Sequence, residues 1–287
     1  MMMRFSIIIP TYNRPERLAR CLGSVAALDY PREQFEAIVV DDGSDLPLDE
    51  ATQPVAALMN LTVLRQNNAG PASARNFGAS IARGELLAFL DDDCAPRRDW
   101  LRQMDLAARR DPGCVWGGRT INGCRDNIFA ETNQRLLDAV AAWFTRNNSP
   151  LQFFASNNFV VPRTGFHQIG GFDATFPLAG GEDRDFCARW LASGRRLVPA
   201  PLACIDHFHP QTVRSYLNMH YRYGRGAARL HRLRHSSPLR FAKKGLYGHL
   251  LFTFAKGGRP LTACSLFALS QLATATGFFQ EARDNSN

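Results

Sequence analysis

The sequence contains no CxxC pair. Its seven cysteines (Cys21, Cys94, Cys114, Cys124, Cys187, Cys204 and Cys264) are odd in number and scattered. That argues against a disulfide framework or a structural zinc site and suits a reducing, cytosolic compartment. No internal repeat and no low-complexity tract occurs. The opening run MMMRFSIIIP is short, is cut by Pro10 and has no small-residue cleavage site, so no signal peptide is expected. Long apolar runs are scarce. The stretch LTACSLFALSQLATATGFF has 19 residues without a charge, which approaches the length that spans a bilayer. Its Ser, Thr and Gln content predicts an interfacial or tightly packed helix instead.

Acidic residues are nearly missing from the last third. From Pro210 to Asn287 there are 12 Lys and Arg against 2 Asp and Glu, out of chain totals of 34 and 26, so residues 1–209 carry 22 against 24. The basic end predicts contact with an anionic surface, either membrane or nucleic acid. With 287 residues, 45% hydrophobic and 21% charged, the chain is ordinary globular material for one large domain or one domain with an appendage.

The apolar runs FSIII (5–9), EAIVV (36–40), LTVLR (61–65) and ELLAFL (85–90) read as strands. Helical patterns lie between them at 15–28, about 50–59 and 71–83, the last with Pro at its first position. Another follows at 98–110. Alternating strands and helices predict a mostly parallel α/β sheet, and ligands bind such sheets off the carboxyl ends of the strands. VWGGRTI and FFASNNFVV are further strand candidates. EDRDFCARWLAS (182–193) has helical spacing, and RRLVPAPLACIDHFH reads as a strand, a turn and a second strand. After Thr212 come an Arg-rich helix to about 234, Pro238, an apolar helix to about 255, the break GGRP and the uncharged stretch. The tail EARDNSN is expected to be unstructured.

PTYNR, DDGS and DDD each follow a predicted strand directly, so all three gather on one rim of the sheet. Asp91, Asp92 and Asp93 stand side by side, where their charges repel unless a cation joins them. Mg²⁺ and Mn²⁺ take oxygen ligands and often pair one or two carboxylates with substrate phosphates. On an extended backbone Asp91 and Asp93 would share one side and Asp92 would face the other. A carboxylate in VVDDGS can accept the imide N–H of uracil or a ribose hydroxyl, and Gly43 permits the turn that follows. In NNAGPASARNFG, Gly70 and Pro71 set a turn and open a helix whose first amides point to the same rim, with Arg75 one turn in. Taken singly, these are an acidic turn, a βα turn capped by Ser44 or Asp45, and a capped amphipathic helix.

SIIIPTYNRPERLARCLGSV, VVDDGS, NNAGPASARNFG and LLAFLDDD occur in an order and spacing that resemble family 2 glycosyltransferases, nucleotide-sugar enzymes of the GT-A fold. The resemblance covers about residues 4–210. It implies a Rossmann-like α/β domain over 1–210, with a nucleotide half at about 1–98 and an acceptor half at about 99–210, followed by a basic and apolar helical region over 211–287. It implies that Pro10, Thr11, Tyr12, Asn13, Arg14 and Gly70 line the nucleotide pocket. Asp42 or its neighbour Asp41 would read the base, with Arg75 nearby. Asp91, Asp92 and Asp93 would meet the ribose-diphosphate, Asp91 and Asp93 as the ends of a D-x-D motif that binds metal.

The segment from Ser156 to Trp190 is similar to the acceptor half of that family, and its GED tripeptide ends on Glu182 and Asp183. The resemblance makes this carboxylate pair the source of the catalytic base, Asp183 ahead of Glu182. An inverting transfer needs such a group to take the acceptor proton, and a helix N-terminus holds a carboxylate well. His207, 24 residues after Asp183, would complete the metal shell, with His209 as substitute, and an imidazole tilts Mn²⁺ or Mg²⁺ toward manganese. Trp116, Asn157, Asn158 and Trp190 are candidates for sugar contact, although a tryptophan in an apolar helix, as Trp190 is, more often belongs to the core. The implied donor is a nucleotide sugar, UDP first. The implied acceptor is a glycan or lipid-linked hydroxyl, in cell-envelope or other glycan biosynthesis. The basic tail reads as peripheral attachment to the inner face of an anionic membrane or as a homo-oligomer contact, with no nucleic-acid partner. Two alternatives stand: an inactive nucleotide-sugar-binding scaffold, and a nucleotidyltransferase. The latter would carry a Gly-rich basic phosphate loop where this chain has PTYNRPERL.

Overall fold

A computed structural model describes residues 3–147, 152–176, 180–233, 239–256 and 260–284. Arg234, Pro238, residues 257–259 of the predicted break and the last three residues of the tail lie outside that set. The strands are β1 (Phe5–Thr11), β2 (Phe35–Asp41), β3 (Asn60–Arg65), β4 (Leu86–Leu90), β5 (Cys94–Pro96), β6 (Val115–Asn122), β7 (Asn158–Pro162) and β8 (Leu197–His207). The helices are α1 (Pro15–Ala26), α2 (Asp49–Ala56), α3 (Pro71–Ile81), α4 (Trp100–Arg110), α5 (Ile128–Arg146), α6 (Arg163–Gln168), α7 (Glu182–Ala192), α8 (Val213–Leu233), α9 (Leu239–Ala255) and α10 (Pro260–Asp284).

The chain divides into two compact units. One comprises Met1–Ile121, Phe154–Pro177 and Arg189–Phe208; the other comprises Asn122–Phe153, Leu178–Ala188 and His209–Asn287. In the first, the sheet order among the described residues is β3-β2-β1-β4-β7-β6-β8-β5. β3, β2, β1 and β4 run parallel. β7 turns antiparallel against β4 and β6, and β5 is antiparallel to β8. β1, β2 and β4 are apolar nearly throughout because both faces are covered. Ile7, Ile9, Val39 and Ala88 pack with Leu18, Leu22 and Val25 of α1 and with Trp100, Leu101 and Met104 of α4. Ile8 and Val40 on the other face meet α3 at Gly78, where an added Cβ would lie 2.7 Å from the Ile8 side chain. The helix therefore rests directly on the strands. Each fully buried Leu or Ile contributes about 1.5–3 kcal/mol, so this core fixes where the strand ends fall.

The second unit is helical. α8 and α10 cross backbone to backbone. A Cβ at Gly224 would lie 1.9 Å from the Thr274 carbonyl oxygen, and one at Gly277 2.0 Å from that of Tyr221. The Tyr216 hydroxyl donates to the Leu266 carbonyl at 3.1 Å. α9 and α5 join through Leu250, Phe254, Ala263, Phe267 and Ala139, with the Phe254 and Phe267 rings stacked at 4.9 Å.

Three expectations change. RRLVPAPLACIDHFH does not break into two strands; β8 is continuous through Pro199 and Pro201. Both prolines are exposed and stand outside the ladder with β5, which uses residues 205–207, so neither interrupts it. The tail is ordered as far as Asp284, because Glu281 is buried and accepts from Arg225 at 2.7 Å. α5 is new, and its buried positions include Thr132 and Asn133, which blur the apolar period.

Candidate functional site

The parallel register aligns the ends of β1, β2 and β3. Thr11 stands opposite Asp41, and Asp41 opposite Arg65. β1 and β4 pair from Phe5 and Leu86 onward, so the loops after β1, β2 and β4 gather on one rim, as the pattern predicts.

Each aspartate of the triplet has its own partner. Asp91 accepts from Arg75 at 2.6 Å. Asp92 accepts from the Thr11 hydroxyl at 2.8 Å and from Arg14 at 3.4 Å. Asp93 pairs with Arg17 at 3.2 Å and with His207 Nε2 at 3.2 Å. The triplet is not extended. It turns, with the Cys94 amide donating to the Asp91 carbonyl at 3.1 Å. Asp91 and Asp93 therefore do not share one side of a strand: Asp91 goes to α3, Asp93 to α1 and β8. The β5–β8 ladder places Cys94 opposite His207, and the Phe208 amide donates to the Asp93 carbonyl at 2.8 Å. That pairing is what delivers the histidine.

Burial raises the Asp92 carboxyl to about 6; Arg14 opposes the shift and the Asp93 charge adds to it. Burial works against a charged His207, but the hydrogen bond and charge of Asp93 outweigh it, and the imidazole is raised above its ordinary value. Among the described residues, Asp93, Cys94 and His207 bring ligand atoms within 4.8 Å of one another. Burial, with Asp93 and Asp91 adding, pushes the Cys94 thiol well up. The usable donors are then a carboxylate oxygen and an imidazole nitrogen, a set that fits Mn²⁺ and, less well, Mg²⁺.

Asp42 holds the loop before α3. It accepts from the Gln66 side chain at 2.7 Å and from the Ala69 and Gly70 amides at 2.9 Å each. Gly70 (φ 87°) and Gly43 (φ 83°) take the left-handed backbone this wrap requires, and a Cβ on Gly43 would meet the Asn68 amide at 2.9 Å. Asp41 accepts from the Ser44 amide at 2.9 Å and from Arg65 at 2.8 Å. Asn13 adopts φ 54°, a conformation that costs Asn less than most residues. Its side-chain oxygen accepts from the Asp45 amide at 2.8 Å, tying the β1 loop to the β2 loop. Pro10 is half-buried, and Tyr12 is exposed beside Asn13.

Sequence reasoning missed Arg17 and Gln66. The signal for Arg17 was available: Arg14, Arg17 and Arg20 recur every three residues, which lines one side of α1. Several sugar-contact candidates are structural instead. Trp116 and Trp190 are fully buried and donate to the Asp111 and Arg196 carbonyls. Asn158 is buried and accepts from Trp100 at 2.8 Å. Asn157, also buried, meets Thr120 at 3.4 Å.

In the second unit, α7 opens on Glu182 and Asp183 after Gly180 and Gly181, which have φ of 134° and 115°. Glu182 is buried and accepts from the Gly180 amide at 2.9 Å. Asp183 is half-buried and accepts from the Arg184 amide at 2.7 Å. The Gly180 carbonyl lies on α8, where a Cβ at Gly226 would come within 1.7 Å of it.

Residues 6–174 match the family described as glycosyl transferase family 2, and residues 138–216 match the N-terminal domain of galactosyltransferase. The pre-mycofactocin glycosyltransferase of Mycobacterium tuberculosis is 30% identical over 261 residues, covering 88% of this chain and 53% of the relative. The chain thus spans about half the length of the curated relatives it matches. Among solved structures, the mannosyltransferase PcManGT of Pyrobaculum calidifontis, in complex with GDP-Man and Mn²⁺, superposes with a TM-score of 0.70 at 20% identity, over 99% of this chain and 88% of that one. Staphylococcus aureus TarS 1-349 in complex with UDP-GlcNAc superposes with a TM-score of 0.58 at 18% identity, over 97% and 89%. These likenesses carry the GT-A fold, and the family match extends over more than half of the residues: the chain belongs to glycosyl transferase family 2.

Proposed function

We propose that the protein is an inverting, metal-dependent glycosyltransferase. It would move a sugar from a nucleoside diphosphate carrier, UDP first, to a hydroxyl of a glycan or lipid-linked acceptor in envelope or related glycan synthesis. The observation that carries the reading is the Asp93–His207 pair at 3.2 Å beside two further acids and three arginines, on the rim where β1, β2 and β4 end and β8 delivers its histidine. That rim combines ligands for a hard cation with guanidinium groups suited to pyrophosphate oxygens. One structural neighbour carries GDP-Man with Mn²⁺ and another UDP-GlcNAc, which supports a nucleotide-sugar donor.

Asp93 and His207 would hold Mn²⁺ or Mg²⁺, with Asp91 as third ligand once Arg75 turns to phosphate, and the ion's contribution is to neutralise the departing diphosphate. Asp42 has three protein donors, and a carboxylate offers about four acceptor positions, so one remains for a base imide. Asp41, engaged by Arg65 and the Ser44 amide, supports that turn. Pro10, Thr11, Tyr12, Asn13, Arg14 and Gly70 form the surrounding walls, and Asp92 anchors Thr11 and Arg14. Asp183 takes the proton of the acceptor hydroxyl while that oxygen bonds to the anomeric carbon and the bond to the diphosphate breaks. Glu182, occupied with the Gly180 amide, holds the loop. A single displacement inverts the anomeric centre.

Proton NMR of the product from a panel of UDP, GDP and dTDP sugars tests this. The expected product has anomeric configuration opposite to the donor, formed only with added divalent metal. Retention, or equal transfer in chelator, contradicts it.

A further inference from the structure

From Leu233 to Gln280 the chain carries six Lys and Arg and no Asp or Glu. The same stretch holds α9 and α10, whose outer faces are apolar. On α9, Gly248, Leu251, Phe252 and Ala255 are exposed at spacings of three and four, so they form one stripe. Leu250 and Phe254 are buried on the opposite side. On α10, Leu261, Ser265, Ala268, Leu272, Ala275 and Phe279 are exposed on one stripe along the whole helix, while Ala263, Phe267, Ser270 and Gly277 are buried. Leu261 is 85% exposed, Leu272 65%, Phe279 64% and Phe252 59%. Lys256 lies with its ammonium 4.2 Å from the Phe252 ring centroid, next to this surface. Exposed apolar stripes of this kind mark interaction sites.

Charge selects the occupant. A second copy of the chain would bring the same positive segment against itself. An anionic lipid surface supplies both what the apolar stripes lack and what the basic residues match. Among the described residues, α10 is the helix long and apolar enough to cross a bilayer. Its inner face, however, is welded to α8 through Gly224 and Gly277. A spanning α10 would drag Arg222, Arg225 and Arg229 of α8 into hydrocarbon, a costly placement. We propose that α9 and α10 lie flat in the headgroup region of an anionic bilayer, with Leu251, Phe252, Leu261, Leu272 and Phe279 inserted and the ammonium of Lys256, beside Phe252, at the phosphates.

Vesicle flotation tests this on the full chain. Vesicles of phosphatidylcholine with about a third phosphatidylglycerol should carry the protein at low salt and release it at high salt, and neutral vesicles should bind about tenfold less or weaker. The triple variant Leu251→Ser, Leu272→Ser, Phe279→Ser should lose about tenfold or more of the binding with an unchanged melting point, because all three side chains are exposed. If that variant does not fold, Leu272→Trp decides: bromine-bearing acyl chains should quench its fluorescence beyond that of the native protein. No binding to anionic vesicles, undiminished binding by the triple variant, no added quenching, or a dimer in light scattering that the triple variant splits would each overturn the proposal. Neither assay uses a nucleotide sugar, so the outcome is independent of the transfer reading.

Discussion

The rim at the ends of β1, β2 and β4 and the helices α9 and α10 handle charge in opposite ways. At the rim, acids adjacent in sequence are each met by a cation from a different element: Asp91 by Arg75 of α3, Asp92 by Arg14 before α1, Asp93 by Arg17 of α1 and His207 of β8. Residues 233–280 contain cations and no acid at all. The first arrangement is internally balanced, and the proposed function has it exchange partners when a metal and a diphosphate arrive together. The second is left to be balanced from outside. On the two proposals above, one chain separates recognition of a small anion from recognition of an extended anionic surface, and the sequence marks the difference by where it omits Asp and Glu.

The contrast breaks first at catalysis. Asp183→Asn should cut turnover by about 10²–10⁴-fold while leaving vesicle binding and nucleotide binding intact, measured with the donor that works; a variant of full activity would remove Asp183 from the role of base. Next is Arg75→Ala. It leaves the half-buried Asp91 without its partner beside two other acids, so the melting transition should reflect a loss of up to about 3 kcal/mol, partly recovered by divalent metal. An unchanged transition that ignores metal would mean the pair contributes nothing.

Gly226→Ala should be milder, about 1–3 kcal/mol, because the methyl must push the Gly180 carbonyl away. As that loop carries Glu182 and Asp183, turnover should fall more than KM rises. Gly23→Ala, where a Cβ meets nothing within 4 Å, is the control; it should stabilise α1 by about 0.5–1 kcal/mol.

The smallest effect concerns pH without added metal. Asp92, raised to about 6 chiefly by burial, and His207, raised by Asp93 against burial, both bind protons more tightly folded than unfolded. Their stabilising contribution is complete below the unfolded values of 3.8 and 6.5. It is lost as pH rises, through about 6 for Asp92 and above 6.5 for His207. Chemical denaturation across pH should show Asp92→Asn removing the lower segment and His207→Gln the upper one.

Much of the fold was legible because β1, β2 and β4 are buried on both faces and read as unbroken apolar runs, each followed at once by its polar loop. The convergence of those loops followed from parallel topology alone. The helices α8, α9 and α10 were equally plain, since charge, Pro238 and GGRP punctuate them. α5 was not visible, because its buried side includes Thr132 and Asn133. The continuity of β8 was hidden by Pro199 and Pro201, whose cost depends on which strand edge they occupy. At the rim, the acids were legible but their partners were not. Arg17 belongs to a helix and reaches Asp93 only after folding, and the turn at Asp91–Cys94 replaces the extended D-x-D with acids aimed at three elements. Whether Trp116 and Trp190 stack on sugar or fill the core is a matter of burial, which one sequence does not display.

Titrating UDP and GDP calorimetrically into the native protein, with and without Mn²⁺, and repeating both with Asp93→Asn and His207→Ala, tests most directly whether the rim grips a diphosphate through a shared cation. The account predicts that Mn²⁺ tightens binding of at least one of the two nucleotides about tenfold or more and that either substitution abolishes the gain. Nucleotide binding that is the same with and without Mn²⁺, or a Mn²⁺ gain that survives in both variants, would contradict it.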